Sequence, residues 1–172
     1  IRVRIYRNIL RNAISLSLYN IPMTDNRPIA FVTGGTGFVG SHLIDRLLAK
    51  GYHVRALVRD PKRLGFLTGL PIDVIPGDLF SIAALERGIA GADYVFHVAG
   101  VVAAHSKEEF YRGNRDATRN MIETTARVNP TVKKFVHISS QTAVGPGTGM
   151  TPVTEATAPH PLTTYGKSKL AS

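Results

Sequence analysis

Tyr165 and Lys169 stand four residues apart in Tyr165-Gly166-Lys167-Ser168-Lys169. In a helix that spacing puts both side chains on one face, a turn apart. A phenol titrates near pH 10 and is by itself a poor acid or base at neutrality. An ammonium within about 4–6 Å stabilises the phenolate, and so does an oxidised nicotinamide ring, which brings proton transfer into reach. The pair alone recurs by chance in many chains. Its weight here comes from Ser139-Ser140, hydroxyls placed after an apolar run, and from a glycine cluster far upstream.

That cluster is Thr33-Gly34-Gly35-Thr36-Gly37-Phe38-Val39-Gly40. Gly35, Gly37 and Gly40 fit G-x-G-x-x-G, and Gly34, Gly37 and Gly40 fit G-x-x-G-x-x-G. Such a turn between a strand and a helix needs glycine for a tight bend, for close approach of the backbone to a pyrophosphate, and for close helix–strand packing. The open N–H groups and positive end of the following helix then hold the phosphates. Residues 34–40 are therefore expected to bind a dinucleotide. Asp78 and Leu79 follow a third apolar run, at the carboxyl edge where ligands sit. The Asp78 carboxylate could accept from an adenine amino group, or could serve as an acid at a helix start. An acid at the end of the second run would bind the ribose hydroxyl of NAD, and an Arg would accommodate the 2′-phosphate of NADP. Arg59 comes first in Val58-Arg59-Asp60-Pro61-Lys62-Arg63, so NADP is favoured over NAD.

The elements that must position these groups are legible as alternating patterns. Ile29–Val32, Val54–Val58, Ile72–Ile75, Tyr94–Val98 and Lys134–Ile138 are short apolar runs that suit strands buried on both faces. Helices are expected over Phe38–Lys50, Ser81–Ile89 and, as one long amphipathic element, Glu108–Val128, with Asn129-Pro130 as its stop. Val144–Pro161, with three Gly and four Pro, reads as loop, and a last helix begins near Thr163. Strands alternating with helices imply a doubly wound, parallel α/β sheet with right-handed crossovers.

Together these motifs resemble the extended short-chain dehydrogenase/reductase group, over about residues 27–172. The group includes sugar-nucleotide epimerases and dehydratases, dihydroflavonol-type reductases and 3β-hydroxysteroid dehydrogenases. The resemblance implies Tyr165 as catalytic acid/base and Lys169 as the base that binds ribose and lowers the tyrosine pKa. It implies Ser140 as the hydroxyl that holds the substrate oxygen, 25 residues before Tyr165. Val98, Ala99 and Gly100, after His97, match the stretch that lines the cofactor, and Asn114 and Thr118 match the Asn-x-x-Gly-Thr helix element. Glu155 and Pro161 match the loop leading into the catalytic helix. Ala117 replaces the usual Gly of that element. Val144 stands where epimerases commonly carry Tyr, while residues 54–61 are similar to the reductase branch. Members of the group run to about twice this length, so the expectation is a Rossmann domain, 28–172, lacking its substrate lobe and leaving the fifth strand with an open edge. The implied activity is hydride transfer at a secondary alcohol or ketone. The alternative from another class is a nucleotide-binding scaffold or sensor without turnover.

Composition narrows the field further. The chain has 172 residues, 44% hydrophobic and 19% charged, which is ordinary globular material. Zero cysteines exclude a disulfide scaffold, a thiol nucleophile and Cys-ligated metal. There is no HExxH and no G-x-S-x-G elbow, and the glycines of 145–149 are not followed by the Lys-Ser/Thr of a P-loop. The six histidines, His97 and His137 among them, lack metal-ligand spacing and read as structural. The net charge of +9 raises nucleic acid or a membrane surface as partners. Four arginines (Arg2, Arg4, Arg7, Arg11) and no acid lie in the first 22 residues, leaving 17 bases against 12 acids, or +5, over the remainder. Residues 1–27 therefore read as a basic leader outside the fold. It could be non-native sequence ahead of Met23, an organelle transit peptide or a peripheral helix. The scattered bases beyond it argue against nucleic acid, and no apolar run reaches the length of a membrane span. A small-molecule substrate and a cytoplasmic location are expected, with homodimerisation left open.

Overall fold

The computed structural model describes residues 26–147 and 149–172. Apart from Asn26 and Arg27, the expected leader lies outside the described residues. The elements run β1 (Ile29–Thr33), α1 (Phe38–Ala49), β2 (His53–Val58), β3 (Asp73–Pro76), α2 (Ile82–Ile89), β4 (Tyr94–His97), α3 (Lys107–Tyr111), α4 (Ala117–Val128), β5 (Lys134–His137) and α5 (Thr164–Leu170). The five strands form one parallel sheet in the order β3-β2-β1-β4-β5. This is the doubly wound arrangement, with the strand order reversing direction between β1 and β4.

Alternate strand residues feed two cores. Ala30, Val32, Val54, Ala56 and Val58 pack on one face against Ile44, Leu47 and Leu48 of α1. Phe31, Leu57 and Val95 pack on the other against Leu85 and Ile89 of α2 and Met121 of α4. β1 is covered on both faces, which is why its sequence runs apolar without alternation. A Cβ on Gly88 would lie 2.2 Å from the Phe31 ring, so α2 can sit down on β1 only with glycine there. Among the described residues, β5 pairs with β4 alone and its outer edge carries no strand. No helix among them is long and apolar enough to cross a membrane.

The long helix expected over Glu108–Val128 is interrupted. α3 and α4 are separated by a wide, π-type turn over Arg112–Asp116. The cause is tertiary. A Cβ on Gly113 would lie 2.2 Å from Val101 Cγ2. Asn114, 2% exposed, turns inward to the segment after β4. Turns of this kind inside helices often sit at functional sites.

At the opposite, amino end of the sheet Asp93 joins β1 to the approach to β5. Its Oδ2 accepts from the Ile29 N–H at 2.7 Å and its Oδ1 lies 2.8 Å from Lys133 Nζ. Lys133, then the Ile29 N–H, hold its carboxyl below the ordinary value. A lowered folded pKa means stability that is present above the unfolded value near 4 and lost as pH falls through the folded one. Asp93→Asn should therefore reduce stability by about 1 kcal/mol at pH 7. In urea melts the gap between variant and parent should narrow as pH falls through the carboxyl's lowered folded value.

Candidate functional site

A cleft of about 820 Å³ opens at the carboxyl ends of the strands, at the β1/β4 reversal. Its floor is the glycine-rich turn. Gly34 has φ +73°, and a Cβ there would lie 2.6 Å from the Ala99 backbone nitrogen. A Cβ on Gly40 would lie 2.2 Å from the Gly34 carbonyl oxygen. Gly37 begins α1 with no side-chain cap, so the first N–H groups of that twelve-residue helix face the cleft without a side-chain partner. Its own Cβ would meet only the Gly34 oxygen, at 3.3 Å. These observations fit a phosphate-bearing cofactor: the cradle is shaped by missing Cβ atoms and lined by unpaired donors. Gly35 differs from its neighbours. It points into the core, where a Cβ would lie 2.6 Å from Ile44 Cδ1, and it does not line the cleft.

Thr36, Phe38 and Val39 on the turn, Arg59 after β2, Asp78 and Leu79 after β3, and Val98, Ala99 and Gly100 after β4 all line the same cleft. Asp78 Oδ1 accepts from the Phe80 N–H at 2.9 Å and from the Ser81 hydroxyl at 2.8 Å. Those bonds, with Arg112 nearby, hold its carboxyl below the usual range. Asp78 thus organises the start of α2 with Oδ1 while the residue lines the cleft. The Arg112 guanidinium sits 4.1 Å from the centre of the Phe80 ring at this end. Asp60 engages its own turn, Oδ1 accepting from the Lys62 N–H, and Arg59 is the one of the two that lines the cleft.

Tyr165, Lys169 and Ser140 lie beyond the cleft's lining, on elements that meet at its inner end. Thr163 caps α5 by accepting from the Gly166 N–H at 3.0 Å. A Cβ on Gly166 would lie 2.4 Å from the Thr142 carbonyl oxygen, so glycine lets α5 rest directly on the short turn Gln141–Ala143. Ser140 caps that turn, its Oγ accepting from the Thr142 N–H and lying 2.8 Å from Thr142 Oγ1. Tyr165 is half-buried, its ring 6.1 Å from that of Phe110 on α3. Lys169 is 5% exposed and donates to the Ile138 carbonyl at 3.0 Å. Its Nζ would be 3.7 Å from a Cβ placed on Gly100, which sets the ammonium at the cleft's end. Burial pushes its pKa below the ordinary lysine value.

Asn114 joins the two halves. Its Oδ1 accepts from the Val101 N–H, and its Nδ2 donates to the Val101 carbonyl and to Ser168 Oγ on α5. One side chain therefore holds the cleft-lining segment and the tyrosine-bearing helix together. The sequence flags Asn114 through its motif but not this linkage, and it flags Gly166 not at all. A glycine at the third position of a capped helix, next to the tyrosine, is the signal that could have found it.

Beneath the cleft lies a polar row across the sheet, Thr33, His97 and His137, in register on β1, β4 and β5. His97 is 1% exposed, with Nδ1 2.9 Å from Thr33 Oγ1 and Nε2 2.9 Å from Thr118 Oγ1. Its ring stacks on that of His137 at 5.2 Å. Burial, then His137 and Lys169, lower the His97 pKa to about 3, and burial and Lys169 also lower that of His137.

Residues 30–172 match the family model described as "NAD dependent epimerase/dehydratase family", and the chain belongs to that family. It is 37% identical to a ceramide reductase of Caulobacter vibrioides over 72% of this chain and 38% of the relative. It is 39% identical to a dihydroflavonol 4-reductase of Solanum lycopersicum over 64% of this chain and 32% of the relative. Among solved structures, MoeE5 in complex with UDP-glucose and NAD superposes with a TM-score of 0.71 at 32% identity, over 83% of this chain and 46% of that one. The chain thus spans between about a third and a half of the length of these relatives.

The cradle makes a graded prediction for the glycines. Gly34→Ala and Gly40→Ala should each abolish detectable binding of NADPH and NADH in a dye-shift titration, since each forces backbone against backbone. Gly37→Ala, with one contact at 3.3 Å, should fold normally and keep measurable affinity.

Proposed function

We propose that the chain carries the cofactor half of an NAD(P)-dependent oxidoreductase that moves hydride at a secondary alcohol or ketone carbon. The observation that carries this reading is the seating of α5. Gly166 lets the helix with Tyr165 and Lys169 rest on the turn capped by Ser140, and the Lys169 ammonium stands at the Gly100 end of the cleft. A nicotinamide dinucleotide bound in the cleft supplies the hydride donor or acceptor. The chain's own residues do the remainder. The open N–H groups of α1 and of the turn hold the pyrophosphate. Ser140 turns its hydroxyl from Thr142 to the substrate oxygen. The Tyr165 hydroxyl gives its proton to that oxygen in reduction and takes it back in oxidation. Lys169, held in place by the Ile138 carbonyl, keeps its ammonium at the Gly100 end of the cleft.

Within the family the reductase side is favoured over sugar epimerisation. Val144 stands where epimerases commonly carry Tyr, and two of the curated relatives are named as reductases. NADP is favoured as the cofactor, supported by Arg59 at the cleft and Asp60 engaged in its own turn. The substrate is a small molecule and the setting cytoplasmic. The neighbour MoeE5 carries NAD, so the preference needs its own test.

Two measurements bear on this. Arg59→Glu should weaken NADPH binding at least about tenfold while changing NADH less than about threefold. Equal losses for both would remove the 2′-phosphate role. In ketone-reduction assays of the full-length protein, Tyr165→Phe should abolish turnover and leave nucleotide binding within about twofold, because it removes one hydroxyl and no charge. Retained turnover would refute the assigned acid/base. Nucleotide binding without turnover by the unaltered protein would favour a sensor or scaffold.

A further inference from the structure

We propose that His97 is a positioning residue for the cofactor cleft, a neutral imidazole whose Nδ1 holds Thr33 at the threshold of the glycine-rich turn while Thr118 of α4 seats the ring through Nε2. This rests on reading the cleft as a dinucleotide site. Thr33 is the last residue before Gly34. Its Oγ1 accepts from the Ala99 N–H at 3.3 Å and meets His97 Nδ1 at 2.9 Å. The other ring nitrogen, Nε2, meets Thr118 Oγ1 on α4 at 2.9 Å. Ala99 is the residue whose backbone presses on Gly34, 2.6 Å from the position a Cβ would take. A single ring therefore fixes, through Thr33, the two backbone segments that face each other across the cradle, and Thr118 on α4 only orients that ring.

The chemistry of the pocket selects imidazole. Thr33 and Thr118 are both essentially inaccessible to solvent, and both present hydroxyls that can donate or accept. A neutral imidazole offers one donor and one acceptor and matches either orientation of the pair, whereas a protonated ring offers two donors and a buried charge. The groups facing it reinforce neutrality. His137 stacks on it from β5 and Lys169 approaches from α5, while β1 and α4 present the two threonines. A leucine or phenylalanine would fill the space but give neither hydroxyl a partner, leaving Thr33 Oγ1 with the Ala99 N–H alone.

The test separates positioning from packing by splitting the ring's two bonds. Asn at 97 puts a polar atom where Nδ1 stands, and Gln puts one where Nε2 stands. Asn leaves the larger cavity and should melt lower, yet it keeps the Thr33 bond on the cofactor side. The 172-residue chain is titrated with NADPH and NADH. His97→Asn should retain affinity within about threefold, and His97→Gln and His97→Phe should each lose at least about tenfold, the reverse of the order of side-chain volume. Affinities that follow the melting temperatures, or stay within about twofold throughout, would overturn the proposal. Thr33→Ser against Thr33→Val repeats the comparison without touching His97. The serine should bind and the valine should lose at least about tenfold, and equal binding would overturn the proposal. Nitrogen-15 spectra of the unaltered protein should show one protonated and one bare nitrogen on His97 at pH 6. A doubly protonated ring would also overturn it. If the unaltered protein binds neither nucleotide, the reading of the cleft fails instead, and the spectra still report on the imidazole.

Discussion

The close approach of two backbone segments governs the rest of this structure. The turn at Gly34 and the strand end at Ala99 meet at a distance that leaves no room for a Cβ. Everything around them serves that approach. The positive φ of Gly34 bends the chain, Gly40 brings α1 down onto the turn, and Thr33 hydrogen-bonds across to Ala99. The result is a row of unpaired N–H groups at a helix start facing a cleft, which suits phosphate far better than any side chain could. The polar row beneath keeps the two segments from drifting apart.

A second close contact, α5 on the turn after Ser140, repeats the device with Gly166 as the residue without a Cβ. The two contacts are coupled through Asn114, which bonds to Val101 on one side and Ser168 on the other. The wide turn at Arg112–Asp116 follows from this linkage. A regular α-helix would carry Asn114 off the side of the element that faces both partners, and the extra residue per turn swings it back. The break in the helix is therefore a consequence of the site rather than of weak helix propensity in the segment.

Much of the fold was legible because its signals are local. Short apolar runs, glycine stops and Asn-Pro or Pro-Gly breaks placed all five strands and the helix ends within a residue or two, though not the break at Arg112–Asp116 inside the long helix. The glycine-rich turn was legible as a tight turn by its position between the first strand and helix. What escaped the sequence was set by contacts between distant residues. Gly35 reads as part of the phosphate motif, yet its orientation depends on Ile44 a full turn and more away. His97 looks like one more buried strand histidine, and only the register of β1 against β4, with α4 above, gives it Thr33 and Thr118 as partners. Gly166 is unremarkable until the turn at 141–143 is seen beneath it.

The distances along the chain between these partners carry a kinetic meaning. Thr33 and His97 are 64 residues apart, Thr33 and Ala99 66, and Asn114 and Ser168 54. Parallel strands can pair only across such crossovers, and closing long loops is entropically costly before contacts repay it. The glycine turn is made early on the ribosome, but it has no opposing wall until the fourth strand has been synthesised and docked beside the first. The cradle therefore takes shape only late in folding. Any ligand that binds only across the paired β1 and β4 ends would then stabilise the finished sheet over every earlier stage by mass action.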